Sequence, residues 1–214
     1  MQLNLQTYLN TSLKFDIISA IKKDYKITNG RLIQANPNIY LKGNGSSCIL
    51  TDYSPSYKTT LEIKVGDVDN WIFGARSSTG TIDFGIAYYL ATFGKNILNF
   101  SEISSGTYIF NYGQTLICNG VTIGTFNETS LVCTTKMLLY GIRTEENNNI
   151  ALSSGKIYYC KIYEEDSLLY HFVPVPEGLK IGNFTCPSNG MFDIVEQQFY
   201  SNSETGTFTY GKDN

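Results

Sequence analysis

The sequence predicts an all-β fold, an antiparallel β-sandwich, and three observations predict it. Apolar and polar residues alternate along one short run after another. Gly, Asn and Ser punctuate those runs, as they do between strands. No helical pattern of roughly 10 to 15 residues stands between them, which excludes a parallel α/β architecture.

The first element is the exception. In "NTSLKFDIISAIKKDYK", Leu13, Ile17, Ile18 and Ile21 fall at helical spacing, Thr11 or Ser12 can cap the first turn, and Lys22 and Lys23 suit the last. This predicts a short amphipathic helix in an N-terminal arm over residues 1–28. Its apolar stripe must be covered, either by the chain's own sandwich or by another subunit, so these four residues are candidates for assembly.

Residues 29–214 read as the sandwich, with about a dozen strands. "YKTTLEIKV" sets Leu61, Ile63 and Val65 against Thr60, Glu62 and Lys64, the period-two signature of a half-buried strand. "WIFGAR" follows, then "TIDFGIAYY" with Ile82, Phe84, Ile86 and Tyr88 on one side. Between "TLIC" and "VTIG" stands Asn119-Gly120, the strongest short-range hairpin signal, because both residues tolerate the positive φ of a type I′ turn. Asn29-Gly30, Asn44-Gly45 and Asn189-Gly190 are further candidate tight turns. In "GKIYYCKIYEEDSLLYHFVPV", Glu164-Glu165-Asp166 reads as the turn of a hairpin. Strict alternation there puts Ile157, Tyr159, Lys161 and Tyr163 on one face and Tyr158, Cys160 and Ile162 on the other, as in a central strand covered on both sides. The last predicted element is a closing hairpin within residues 192–211. In it Gly206 turns "FYSN" back onto "TFTYG", so that Phe199, Phe208 and Tyr210 cover an open sheet edge.

Composition narrows the function classes. Sixteen Lys and Arg against nineteen Asp and Glu give −3, with no basic stripe, so phosphate neutralisation has little to work with and nucleic acid is not an expected partner. No basic segment followed by an apolar one opens the chain, and no apolar stretch approaches 18 residues. The expectation is a protein made in a cytoplasm, without membrane insertion. Five widely spaced Cys form no C-x-x-C pair and read as buried free thiols.

Catalytic chemistry finds no carrier. The single histidine, His171, has no nucleophile elbow for company and reads as a strand histidine with a satisfied hydrogen bond. The acidic pairs sit in turns, not on one face of a cleft. "GDVDNW" sets Asp67, Asp69 and Asn70 together but lacks the length and closing Glu of a calcium loop. The expectations are no catalytic residue, no metal and no cofactor. A Tyr-, Asn- and Ser-rich surface remains, of the kind that binds by shape, stacking and neutral hydrogen bonds.

The C-terminal third carries a resemblance. The run G-K-I-Y-Y-C-K-I-Y (residues 155–163), F-V-P (172–174), Phe192-Asp193, Phe199-Tyr200, Asn202 and G-T-F (206–208) are similar to the closing half of concanavalin A-like (laminin-G-like) jelly-roll domains of bacteriophage structural proteins. "LEIKVGDVDNWIFGARSS" looks like that family's early strand pair. The family's basic loop after F-x-P is replaced here by "VPEGLKIGNFTCPSNG", and the first 25 or so residues have no counterpart. The resemblance implies a virion protein of tail fibre, baseplate, head fibre or decoration type, made in the host bacterial cytoplasm. It also implies other virion structural proteins as partners, homo-oligomerisation, and contact with host-surface polysaccharide. Tyr88, Tyr89, Asn111 and Tyr112 are the candidates for sugar stacking and hydrogen bonding. A purely structural connector or decoration protein is the competing expectation, and a glycan depolymerase a remote one.

Overall fold

A computed structural model describes residues 23–77, 83–111, 115–127, 130–143 and 150–214. The predicted N-terminal helix lies outside them, apart from Lys23, which with Asp24 is helical. The described chain enters through β1 (Tyr25–Thr28) and β2 (Arg31–Ala35), followed by β3 (Ile39–Lys42), β4 (Ile49–Leu50) and the long β5 (Thr59–Gly66). A meander follows: β6 (Phe73–Arg76), β7 (Asp83–Ala87), β8 (Leu90–Gly94) and β9 (Asn96–Asn99). Next come β10 (Gly106–Asn111), β11 (Thr115–Cys118), β12 (Val121–Thr125), β13 (Leu138–Leu139), β14 (Gly141–Arg143) and β15 (Ile150–Leu152). The longest hairpin is β16 (Lys156–Glu164) with β17 (Ser167–Val175), and β18 (Lys180–Ile181), β19 (Phe184–Thr185), β20 (Gly190–Asp193), β21 (Gln198–Tyr200) and β22 (Thr209–Lys212) close the chain.

Every pairing among these strands is antiparallel, and the architecture is sandwich-like. A ten-stranded sheet runs β12-β11-β10-β5-β16-β17-β20-β21, with β3 and β22 as a branch, and a six-stranded sheet runs β4-β13-β6-β7-β8-β9. Between them lies one apolar core. In β5, Leu61, Ile63 and Val65 point into it while Thr60, Glu62 and Lys64 face out, the alternation that the sequence shows. Five buried rings, Phe73, Phe84, Phe93, Phe110 and Phe126, touch one another with centroids 5.4–5.9 Å apart. Truncating a ring packed in this way costs about 3–5 kcal/mol.

The branch arises on β16. One of its edges is bonded along its length by β5, the other by β17 at residues 160–164 and by β3 at residues 156–157. Past Phe172, β17 leaves β16 and pairs with β20, while β3 pairs on its far side with β22. A second core fills the fork: Tyr25, Leu32, Ile39, Val173, Val175, Leu179, Ile181, Cys186 and Phe192. The β1–β2 hairpin is built into this core, and the Tyr25 hydroxyl bonds Pro174 O at 2.9 Å.

Turn chemistry at the hairpins follows the sequence. Asn29-Gly30 (φ 51 and 73) joins β1 to β2, Asn119-Gly120 (φ 49 and 81) joins β11 to β12, and Glu165 (φ 52) turns β16 into β17. Three readings are corrected. Tyr158 is an extra residue opposite β5, a bulge that places Ile157 on the core face with Cys160 and Ile162, not with Tyr159, Lys161 and Tyr163. Residues 199–211 do not form a hairpin: β21 pairs with β20 through a turn at residues 194–197, whereas β22 pairs with β3. Gly206 lacks a positive φ, and its need for glycine is steric, because a Cβ there would lie 2.5 Å from the Ser46 carbonyl. Asn189-Gly190 is likewise no tight turn. Gly190 lies inside β20, where a Cβ would meet Tyr200 O of the neighbouring strand at 2.5 Å, and the Asn189 side chain bonds Glu177 N and Phe208 O.

Candidate functional site

On the outer face of the large sheet, a groove of about 230 Å³ lies between the β16–β17 floor and a wall made by residues 33–37. Strand register builds the floor. Lys161 stands directly opposite His171 on one side and Glu62 on the other, so a carboxylate, an ammonium and an imidazole share one row across three strands. The bulge at Tyr158 turns two consecutive tyrosines toward the same groove. Glu62 Oε1 accepts hydrogen bonds from the Tyr159 hydroxyl at 2.8 Å and from Lys161 Nζ at 3.0 Å. Lys161 Nζ also lies 5.1 Å from the centre of the Tyr159 ring.

The wall is held from several directions. Lys64 Nζ donates to Pro37 O at 3.2 Å, and Asn36 bonds Asp24 through its backbone N (2.7 Å) and its amide (3.0 Å). The Gln197 amide clasps Leu32 in the β1–β2 hairpin, accepting from its N at 2.9 Å and donating to its O at 2.8 Å. Gln197 can do so because it occupies the left-handed region (φ 60) in the β20–β21 turn. That turn is itself tied down by Asp193, whose buried carboxylate accepts from His171 N, Val195 N and Glu196 N. The groove wall and the residue that carries its histidine thus rest on one turn.

Electrostatically the groove is quiet. Burial, reinforced by the Lys161 charge, pulls the His171 imidazole down to about 4, so the ring is neutral near pH 7. Burial and the bond to Glu62 push the Tyr159 phenol up to about 12. The His171 ring makes no hydrogen bond to any described residue, contrary to the expectation of a satisfied strand histidine. Its outward place opposite Lys161, between inward-facing neighbours, is the signal that the sequence offered. A neutral imidazole both donates and accepts, the lining is otherwise largely aromatic and aliphatic, and the one ion pair is internally matched. Such an arrangement suits a polar, uncharged guest with an apolar face.

The residues singled out in the sequence do not line this groove. Tyr88 is not a strand residue in line with Phe84 and Ile86, as the alternation suggests: β7 ends at Ala87, and Tyr88 and Tyr89 form the two-residue turn to β8, their rings edge-on with centroids 4.5 Å apart; Tyr89 is exposed, and both carbonyls are bonded by the 100–103 segment. Asn111 is exposed at the end of β10, next to Phe110, which packs on Phe84 at the opposite end of β7. A strand's length therefore separates it from the tyrosine turn. Tyr112 and the assembly candidates Leu13, Ile17, Ile18 and Ile21 lie outside the described residues. In the possible calcium segment, Asp69 accepts from Ser153 Oγ at 2.7 Å and Ser154 N at 2.9 Å, Asp67 pairs with Lys156, and Asn70 bonds Leu152 O. Among the described residues no group of three His, Cys, Asp or Glu side chains is placed to hold a metal ion, and no helix is long and apolar enough to cross a membrane. The chain matches no protein-family model, no curated protein and no solved structure.

Proposed function

We propose that the chain is a structural component of a bacteriophage virion, a concanavalin A-like jelly-roll module on tail or head that attaches to the particle and adheres to host-surface glycans through the outer groove. The observation that carries this reading is the coincidence of two independent features. The run of residues 155–163 that resembles phage jelly-roll proteins also supplies Tyr158, Tyr159 and Lys161 to the groove floor, and the groove offers stacking surface and neutral hydrogen bonding. The module works by adhesion: Glu62, Tyr159 and Lys161 are bonded to one another at the groove, and the His171 imidazole stands ready for a neutral hydrogen bond. Tyr88 and Tyr89 form a second aromatic surface at one end of the sandwich, available to the same class of ligand.

Two measurements test the proposal. Gold-labelled antibody against the chain decorates intact particles if it is a virion component, and unlabelled particles overturn that half. The purified protein retains host capsule or wall polysaccharide on a glycan array, and a silent array at high protein concentration overturns the adhesive half.

A second reading, a connector or decoration subunit with no receptor role, is favoured by Ile97 and Val121. They lie exposed on β9 and β12, the end strands of the two sheets, which approach each other where Leu98 packs on Gly124. Exposed branched residues on edge strands suit contact with another subunit, of the same chain or of another virion protein. A particle map in which every face of the sandwich is covered selects this reading. Release of reducing sugar from host polysaccharide by the pure protein would select a depolymerase instead.

A further inference from the structure

Taking the adhesive reading as given, we infer that the groove holds one uncharged pyranose unit, with the His171 imidazole and the Gln34 amide hydrogen-bonding its hydroxyls and the half-buried Tyr159 ring carrying its apolar face. Size sets the first limit. The groove is small, about 230 Å³, and open on one side, a scale that suits the entry of a single six-membered sugar ring. Walls on two sides, residues 33–37 and the β16–β17 floor, favour a unit that enters by one edge over a chain lying across the sheet.

Charge sets the second limit. The two cations at the groove floor are already committed. Lys161 is paired with Glu62 at 3.0 Å, while Lys64 donates to Pro37 O and stands 4.6 Å from the centre of the Tyr158 ring. A carboxylated or sulfated sugar would therefore set its charge beside the Glu62 carboxylate, against a floor whose two lysines are already engaged. A neutral sugar meets groups of the right kind. The His171 ring and the exposed Gln34 side chain make no hydrogen bond to any described residue, and each offers a donor and an acceptor, the pattern that a pair of sugar hydroxyls complements. The apolar remainder of the lining, Ile33, Ala35 and Pro37 with the Tyr159 ring, suits the C–H face of the sugar.

The chain contains one histidine, so its imidazole Cε1–H gives a single, unambiguous proton resonance. Titration of the whole protein with the methyl glycosides of glucose, galactose, mannose and N-acetylglucosamine should shift that resonance saturably for at least one of them, with Kd about 1 mM. The corresponding uronic acids should bind at least about tenfold more weakly, one order of magnitude on the affinity scale. Gln34→Ala, an exposed change that leaves the core intact, should weaken the response by about fivefold or more, the worth of one well-placed hydrogen bond. Absence of any shift at about 100 mM glycoside, preference for the uronic acid, or a response unchanged in Gln34→Ala would each overturn the inference. Retention of host polysaccharide by the same preparation separates the two levels. Retention with a silent histidine removes this site and leaves the adhesive reading standing; loss of both removes the adhesive reading as well.

Discussion

Replacement of Asp193 should damage stability in a graded way that the structure sets bond by bond. The carboxylate is fully buried and accepts three backbone N–H groups: His171 N at 2.8 Å and Val195 N at 3.1 Å on Oδ1, and Glu196 N at 3.2 Å on Oδ2. Asp193→Ala leaves all three donors without an acceptor in a place that water reaches poorly. At about 1 kcal/mol for each unmade bond, the loss is about 3 kcal/mol. Asp193→Asn keeps a carbonyl oxygen in the Oδ1 position and therefore two of the three bonds, weakened by loss of the charge, and should lose about 1–1.5 kcal/mol. Urea unfolding at neutral pH, followed by tyrosine fluorescence and far-UV circular dichroism, measures both. Because the same turn carries Gln197 and hence the β1–β2 wall, Asp193→Ala should also make the amides of residues 31–36 exchange faster than those of β5, while Asp193→Asn leaves that ratio near the wild-type value. Equal losses for Ala and Asn, or a loss below about 1 kcal/mol for Ala, would refute the assignment of this carboxylate as the anchor of the turn.

Three further outcomes are expected. Gly206→Ala should cost about 3 kcal/mol, since its Cβ would press into the Ser46 backbone and Asn44 Oδ1, whereas Gly120→Ala, at φ 81 in open space, should cost only about 1 kcal/mol for its left-handed backbone; urea midpoints decide. His171 has its folded pKa lowered to about 4 from 6.5, so the folded state binds fewer protons than the unfolded one between those values. The stability it contributes is complete above about pH 6.5 and lost as pH falls toward 4; wild type should lose about 2 kcal/mol more over that window than His171→Gln, and parallel pH profiles would remove the effect. With a thiol reagent at neutral pH, Cys118, the half-exposed cysteine of β11, should react first, while Cys48, Cys133, Cys160 and Cys186 wait for unfolding, the thiols of Cys48 and Cys186 being pushed up to about 11 by burial; mass spectrometry of the labelled peptides reads the order.

Much of the strand framework was legible because its causes are local. A residue in β5 has its side chain directed by the pleat, so Leu61, Ile63 and Val65 announce a buried face without reference to anything else in the chain. Asn29-Gly30 and Asn119-Gly120 announce hairpins because only residues that accept positive φ close a two-residue loop with the right twist. The candidate site was less legible for the same kind of reason in reverse. A bulge depends on what lies opposite, and nothing in "KIYYCKIY" says that Tyr158 has no partner on β5.

The amino-acid sequence by itself determined that this chain forms antiparallel β-structure, that hairpins turn at Asn29-Gly30 and Asn119-Gly120, and that its aromatic and branched residues supply a core. The tertiary structure alone decided that β22 returns to β3 instead of β21, that β16 is shared by β17 and β3, and that Glu62, Lys161 and His171 meet in one row beneath a wall contributed from residues 33–37. Pleat and turn propensities act over a few residues and can be read from them. Partner choice and register are settled by which distant faces bury the most apolar surface while leaving the fewest backbone groups unbonded, a property of the whole chain that no short window contains.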